Sequence, residues 1–226
     1  MVDEFRIKSE WVNVLKIGKL EIKNLKLIGY MDFFKFRQLK KEIVPVLREG
    51  GIGVLPTDTL YGIVGSALKK ETVERVYKLR KRNLKKPMII LISSWENLRI
   101  FDIKISRKQK KFLKKVWPGK VSIVLDCDCD NFDYLHRGTR SLAFRVPDEK
   151  WLRKFLEKTG PLVAPSANFE GEKPATTKQE AKGYFGENVD FYVDLEKLDS
   201  APSMIIKLED DGNFSVLREG GFSVEK

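Results

Sequence analysis

Residues 50–67 read GGIGVLPTDTLYGIVGSA. Ile52, Val54 and Leu55 make a short apolar run bounded by Gly51 and Pro56, the pattern of a buried strand. Beyond Pro56 the aliphatic side chains give way to Thr57, Asp58, Thr59 and Tyr61, and Gly62 to Ala67 then reads as a second short strand. A turn that only reversed the chain would be rich in Gly, Asn or Pro. Two threonines and a tyrosine point instead to hydrogen-bonding work at a strand end. If residues 57–61 stay extended, Thr57, Thr59 and Tyr61 project to one side while Asp58 and Leu60 face the other.

Outward from this stretch, helices and strands alternate. Phe33 to Glu49 carries a helical apolar pattern that Gly50 and Gly51 stop. Glu71 to about Arg82 reads as a second helix, burying Val73, Val76 and Tyr77, and PMIILIS (87–93) as a continuous apolar strand. Ser106 and Gln109 form a capping box for a helix that runs to Trp117. VSIVL (121–125) and SLAFRV (141–146) read as strands around an acidic loop, Asp148 is placed to cap a helix to Lys158, and PLVAPSAN (161–168) carries a strand into a polar turn. Thr177 and Glu180 form a second capping box, followed by strands near 189–195, 203–208 and 214–218. The predicted fold is α/β of the α+β type, a twisted open mixed sheet flanked by helices. Residues 1–30 alternate apolar and polar and read as a small β-rich extension; residues 31–226 contain no repeat or low-complexity linker and read as one domain.

Composition sets the class. An apolar fraction of 42% in 226 residues supports a genuine core. Lys and Arg outnumber Asp and Glu by 43 to 32, giving a net charge of +11, which favours phosphate-rich partners. Cys127, Cys129 and the sole histidine, His136, offer three ligands where a zinc site needs four, so no metal site is expected and the cysteines fit a reducing compartment. No secretory signal or apolar run of about 20 residues is visible, so a soluble cytoplasmic protein without membrane contact is expected.

Four further stretches could carry chemistry. RVYKLRKRNLKKP (75–87) contains seven cations and no acid. Arg80, seven residues after Val73, continues the apolar stripe of its helix, where a cation is costly unless an anion meets it. Arg82 can share its site only if the helix ends near Arg80, which Asn83 permits. In APSAN, Ser166 and Asn168 share a side if extended. WPGKVSIVL places Ser122 on a strand, and VLREGG places Arg218 at a strand end. A basic helix with Arg107, Lys108, Lys110, Lys111, Lys114 and Lys115 could contact nucleic acid, although few aromatics interleave with it for base stacking.

Taken in order, PTDTLYG (56–62), RKR (80–82), WPGKVS (117–122), FRVP (144–147), SAN (166–168), and PSMIIK (202–207) with VLREGG (216–221) resemble the motifs of the YrdC-like family, the threonylcarbamoyl-adenylate synthases, across residues 31–226. The resemblance implies a YrdC/RibB-like sheet with a basic concave face. It implies a short-form synthase that joins L-threonine, bicarbonate and ATP, with Mg2+ on the triphosphate, and releases pyrophosphate. Threonylcarbamoyl-transferase machinery would then modify a tRNA adenosine. By this resemblance Arg82, Lys86, Ser122, Asn168, Thr176 and Arg218 contact ATP. Thr59, Ser166 and Ser203 hold threonine or its carbamate, Arg80 steadies carbamate or phosphate, and Arg80, Arg82, Ser166 and Asn168 form the catalytic group, with no metal ligand. Four positions depart from the family pattern: Arg80 replaces a lysine, Asn83 a proline, Leu91 a histidine and Met204 a threonine. The R-x-R form also occurs in the YciO branch, so the alternative is a YciO-like protein that binds double-stranded RNA or tRNA through a basic face, with weak or different adenylation. A third relation, to the YrdC-like domains of hydrogenase maturation proteins, would use carbamoyl phosphate; their zinc-finger-like and acylphosphatase segments are missing from this sequence.

Overall fold

The computed structural model describes residues 20–21, 33–194, 198 and 200–222. The expected β-rich extension over residues 1–30 lies outside these, apart from a two-residue strand β1 (Leu20–Glu21). Helix α1 (Phe33–Glu49) then runs to the expected stop, where Gly50 takes φ +100, a conformation that favours glycine. β2 (Ile52–Pro56) and β3 (Tyr61–Ser66) pair antiparallel from Ile52↔Gly65 to Pro56↔Tyr61, and every residue in both is buried. α2 (Lys70–Leu79), β4 (Ile89–Leu91) and α3 (Arg107–Val116) follow, with a 3₁₀ turn at Trp95–Phe101 between the last two. β5 (Val121–Asp126), a short α4 (Asp133–His136), β6 (Ser141–Arg145) and α5 (Lys150–Thr159) come next. β7 (Leu162–Val163), α6 (Lys178–Phe185), β8 (Phe191–Tyr192), β9 (Met204–Leu208) and β10 (Phe214–Arg218) complete the chain.

The strands form one mixed sheet in the order β1-β8-β2-β3-β7-β4-β6-β5-β9-β10. The pairs β1/β8, β2/β8, β4/β6 and β5/β9 are parallel and the remaining pairs antiparallel. Strand alternation gives the sheet two unlike faces. On one, Ile90, Ile123, Leu125, Phe144 and Ile206 pack with Val73, Val76 and Tyr77 of α2 and Leu113 and Val116 of α3. On the other, Leu55, Val64, Leu91 and Leu162 pack with Leu39, Ile43 and Leu47 of α1 and Leu152, Phe155 and Leu156 of α5. The register continues this second face through Ala143 and Arg145 of β6, Val124 of β5 and Ile205 of β9. Those residues line a cavity instead of packing against a helix. Thus α1 and α5 cover half of one face, and the site occupies the other half.

Local chemistry explains where elements depart from expectation. Residues 57–60 do not stay extended; they close a hairpin, with Thr57 N donating to Leu60 O at 3.0 Å. The second helix stops at Leu79 rather than Arg82, because Arg80 caps it and Lys81 takes φ +50. The strands expected over 87–93 and 189–195 form only at Ile89–Leu91 and Phe191–Tyr192. Asp148 does not cap α5. Glu149 holds that position, and the Asp148 amide instead donates to Asp58 Oδ2 at 3.1 Å. At α6, Thr177 Oγ1 accepts from Glu180 N at 3.2 Å, but the Glu180 carboxylate turns one residue further back, to Thr176 N and Oγ1 at 2.7 and 3.0 Å. The box at Ser106 and Gln109 forms as read. Gly53 is needed in β2 because a Cβ there would strike the Phe191 ring of β8.

Phe155 is fully buried between α5, α1 and the sheet. Phe155→Ala should therefore lower stability by about 3–5 kcal/mol, read as a fall in the urea midpoint at unchanged m-value.

Candidate active site

The open half of the sheet holds a cavity of about 700 Å³. Arg80, Arg82, Arg145, Lys173 and Arg218 line it, with hydroxyls from Thr57, Thr59, Thr139, Ser141, Ser166, Thr176, Ser200 and Ser203. None of the described residues lining it is acidic. Ile89, Val124, Ala143, Ile205 and Leu217 supply apolar floor between the cations. Cations gathered without carboxylates in a partly desolvated space form a site that anions complete.

The hairpin turn is one wall. Thr57 Oγ1 accepts from Thr59 N and Leu60 N, both at 3.2 Å, and donates to Leu60 O at 2.7 Å. Its hydroxyl shapes the turn, and that turn presents Thr59, whose Oγ1 lies 3.2 Å from that of Thr57. Asp58 points the other way, as its position implies, and meets Arg145: Arg145 Nη2 lies 3.1 Å from Asp58 Oδ1, with both side chains at least 96% buried (4% and 1% exposed). Burial pulls the Arg145 pKa down and the Asp58 carboxylate opposes that fall. Arg145 Nε remains buried without a partner among the described residues.

Arg80 and the SAN turn form a second wall. Arg80 Nε donates to Asn168 O at 3.0 Å, and Nη2 donates to Asn168 Oδ1 at 3.1 Å and Ser166 Oγ at 3.3 Å. Arg80 is 3% exposed, and its Nη1 is buried without a partner among the described residues. Burial lowers its pKa to about 10, Arg82 adds to the fall and Glu170 resists it. Arg82 turns into the same cavity because the helix has ended; its Nε and Nη2 donate to the carbonyls of Lys86 and Pro87 at 3.1 and 2.9 Å. Glu170 ties this loop together by accepting from Asn83 N and from Lys86 Nζ. These two hydrogen bonds hold its carboxyl below the usual range.

The third wall is the end of the chain. Arg218 Nη2 donates to Ser203 O at 2.7 Å and to Ser203 Oγ at 3.3 Å, and Ser203 Oγ lies 3.0 Å from Ser122 Oγ. Burial lowers the Arg218 pKa, with Arg145 and Arg82 adding to the fall. Gly220 lies against the Pro202–Met204 backbone so closely that any Cβ would collide with it.

Of the residues expected from sequence, Thr59, Arg80, Arg82, Ser166, Thr176, Ser203 and Arg218 line this one cavity. Three do not. Ser122 is fully buried behind Ser203. Asn168 spends its side chain on Arg80 and on the carbonyls of Phe169 and Glu172. Lys86 lies outside the wall, paired with Glu170 at 2.8 Å. Leu91 and Met204 are buried in the two cores and also leave the wall untouched. Among the lining residues to which the sequence reading assigned no role are Lys173 and Arg145, the latter quoted only within SLAFRV and FRVP. Its signal was present: an arginine in the apolar strand SLAFRV, at the i, i+2 spacing that puts it beside Ala143 and Ser141 on one face.

The family model Sua5/YciO/YrdC, described as "Telomere recombination", matches residues 45–220. The chain belongs to the Sua5/YciO/YrdC family. A Methanocaldococcus jannaschii relative named "Putative threonylcarbamoyl-AMP synthase" is 33% identical over 189 residues, covering 83% of this chain and 86% of the relative. A Bacillus subtilis relative named threonylcarbamoyl-AMP synthase is 31% identical over 137 residues, 60% of this chain and 39% of that one. The crystal structure of P. abyssi Sua5 complexed with L-threonine superposes with a TM-score of 0.77 at 26% identity, over 90% of this chain and 57% of the other. This member of the Sua5/YciO/YrdC family thus spans less than two thirds of the Bacillus and Pyrococcus proteins. No helix among the described residues is long and apolar enough to cross a membrane.

Removing one partner of the buried pair strands the other charge. Asp58→Ala should cost about 3–5 kcal/mol of stability, and Asp58→Ala with Arg145→Met should recover most of it. Thermal unfolding of the two variants and wild type checks both statements.

Proposed function

We propose that this protein is an L-threonylcarbamoyladenylate synthase, a nucleotidyltransferase acting on L-threonine, bicarbonate and ATP. The observation that carries the reading is the cavity, acid-free among the described residues and lined by Arg80 and Arg145, each with a buried guanidinium N–H that has no partner among those residues. The names of the relatives, and the L-threonine complex of the Pyrococcus protein, support the same substrates.

The chemistry matches what the residues can do. The threonine amine and bicarbonate give a carbamate and water. A carbamate oxygen then attacks the α-phosphorus, the bond to the bridging oxygen breaks, and pyrophosphate leaves. Two anions must be brought together, so fixed cations and positioning supply the rate rather than a side-chain nucleophile. Thr59, Ser166 and Ser203 hold threonine or its carbamate, with Arg145 facing the carboxylate and Arg80 the carbamate. Arg82, Arg218 and Thr176 hold ATP. Asn168 acts by fixing Arg80, Ser122 by fixing Ser203, and Lys86 joins by exchanging Glu170 for the triphosphate. Mg2+ accompanying the triphosphate would offset its charge beside Arg82 and Arg218; no carboxylate among the described residues lines the wall to hold it. The product would pass, in the cytoplasm, to tRNA-modifying machinery.

Pyrophosphate release should require ATP, threonine and bicarbonate together. Arg80→Ala should lower kcat by about 10²–10³-fold, and Arg82→Ala should abolish turnover. Release that ignores threonine, or an active Arg82→Ala, would favour the YciO-like reading suggested by Arg80.

A further inference from the structure

We propose that Glu170 is an internal competitor for the phosphates of the nucleotide. Its carboxylate holds Lys86 outside the cavity wall and is displaced when Lys86 turns to a polyphosphate, so Glu170 tempers how tightly the site keeps ATP and the pyrophosphate that leaves it. This deepens the function proposed above and rests on it for the identity of the nucleotide. The sequence reading gave Lys86 to ATP and gave Glu170 no role.

Glu170 works with both carboxylate oxygens. Oε1 accepts from Lys86 Nζ at 2.8 Å, and Oε2 accepts from the Asn83 amide. The second bond needs an N–H at position 83, which the proline of the family pattern would not supply. The Glu170 amide donates to Arg80 O at 2.9 Å. The turn that clamps Arg80 through Asn168 therefore also holds Lys86, two residues further on. The Lys86 backbone is fixed from two other sides: its carbonyl accepts from the buried Tyr77 hydroxyl at 3.0 Å and from Arg82 Nε at 3.1 Å. Its chain position lies between Arg82 and Pro87, which both line the cavity. The Lys86 side chain is 61% exposed, and its ammonium rides on a flexible four-carbon stem. Backbone anchoring with a mobile head lets the cation change partner without moving the loop.

The electrostatics agree with this geometry. No carboxylate among the described residues lines the cavity, yet the Glu170 charge reaches its cations from behind the wall, where it opposes the fall in the Arg80 pKa. The bonds from Lys86 and Asn83 hold the Glu170 carboxyl below the usual range, so it is ionised at neutral pH. A partly exposed ion pair is worth little by itself, which suits a contact broken and remade in each turnover. The triphosphate brings several negative charges against the single one of Glu170 and wins the exchange. Pyrophosphate, once cut from the nucleotide, meets Glu170 as a rival for Lys86 as it leaves.

The test is calorimetric titration of the whole protein with inorganic tripolyphosphate and with pyrophosphate at neutral pH and low salt. Glu170→Gln keeps an oxygen to accept from the Asn83 amide and removes the charge that holds Lys86. It should lower Kd for both anions at least about threefold, the scale of one partly exposed ion pair. Lys86→Gln should raise Kd by a similar factor, and in that background Glu170→Gln should change it by less than about 1.5-fold, because the effect runs through Lys86. Glu172→Gln removes the same charge two residues along the turn, where the backbone carbonyl rather than the carboxylate serves Asn168; it should leave Kd within about 1.5-fold. Unchanged or weaker anion binding by Glu170→Gln would make Glu170 a loop staple and overturn the proposal. An equal gain from Glu172→Gln, an undiminished gain in the Lys86→Gln background, or no anion binding by wild type would overturn it as well. Anion binding needs neither threonine nor turnover, so absence of threonine-dependent pyrophosphate release would defeat the synthase reading and leave this result standing.

Discussion

The buried contact between Asp58 and Arg145 joins the hairpin turn to the β6 strand, and the site is assembled around it. A guanidinium on a sheet face that would otherwise be apolar needs a counter-charge. The turn supplies one because the fold sends Asp58 inward while Thr57 closes the hairpin over it. The Asp58 carboxylate then also takes the Asp148 amide, which anchors the segment leading into α5. One carboxylate thereby fixes a cavity wall, a strand end and a helix entrance. Arg145 also lines the cavity, and its Nε stays buried without a partner among the described residues.

Arg80 repeats the principle with neutral partners. It sits where a helix's apolar stripe would continue, yet no carboxylate among the described residues pairs with it. Asn168 and Ser166 accept its hydrogen bonds, and one nitrogen has no partner among the described residues. Its depressed pKa, about 10, keeps it protonated at neutral pH while recording the cost of its burial. An arriving anion offsets that cost. The half of the sheet left uncovered by α1 and α5 is what makes room for it.

Much of this could be read from the chain because pattern and chemistry agreed. The α1 span, the strands either side of residues 57–60 and the Ser106 capping box follow from periodicity, glycines and caps, whereas α2 ends at Leu79, short of the expected Arg82. Where reading failed, a tertiary partner had intervened. Asp148 looks like a cap until Asp58 claims its amide, and Thr57 to Tyr61 looks extended until the Thr57 hydroxyl folds back on Leu60. Ser122 and Asn168 have the right chemistry for ligand contact, but only packing reveals that Ser203 and Arg80 stand between them and the cavity. Arg145 was quoted within FRVP but given no role, because an arginine within an apolar strand signals a site only once its face is known to be open.

The most direct test of the account is calorimetric titration of L-threonine into wild type and Arg145→Gln, in bicarbonate buffer with a non-hydrolysable ATP analogue. The account predicts saturable one-site binding by wild type and at least about tenfold weaker binding by the variant, the loss expected for a charged hydrogen bond of about 1.5–3 kcal/mol. Absence of threonine binding by wild type, or equal affinity in the two proteins, would contradict it.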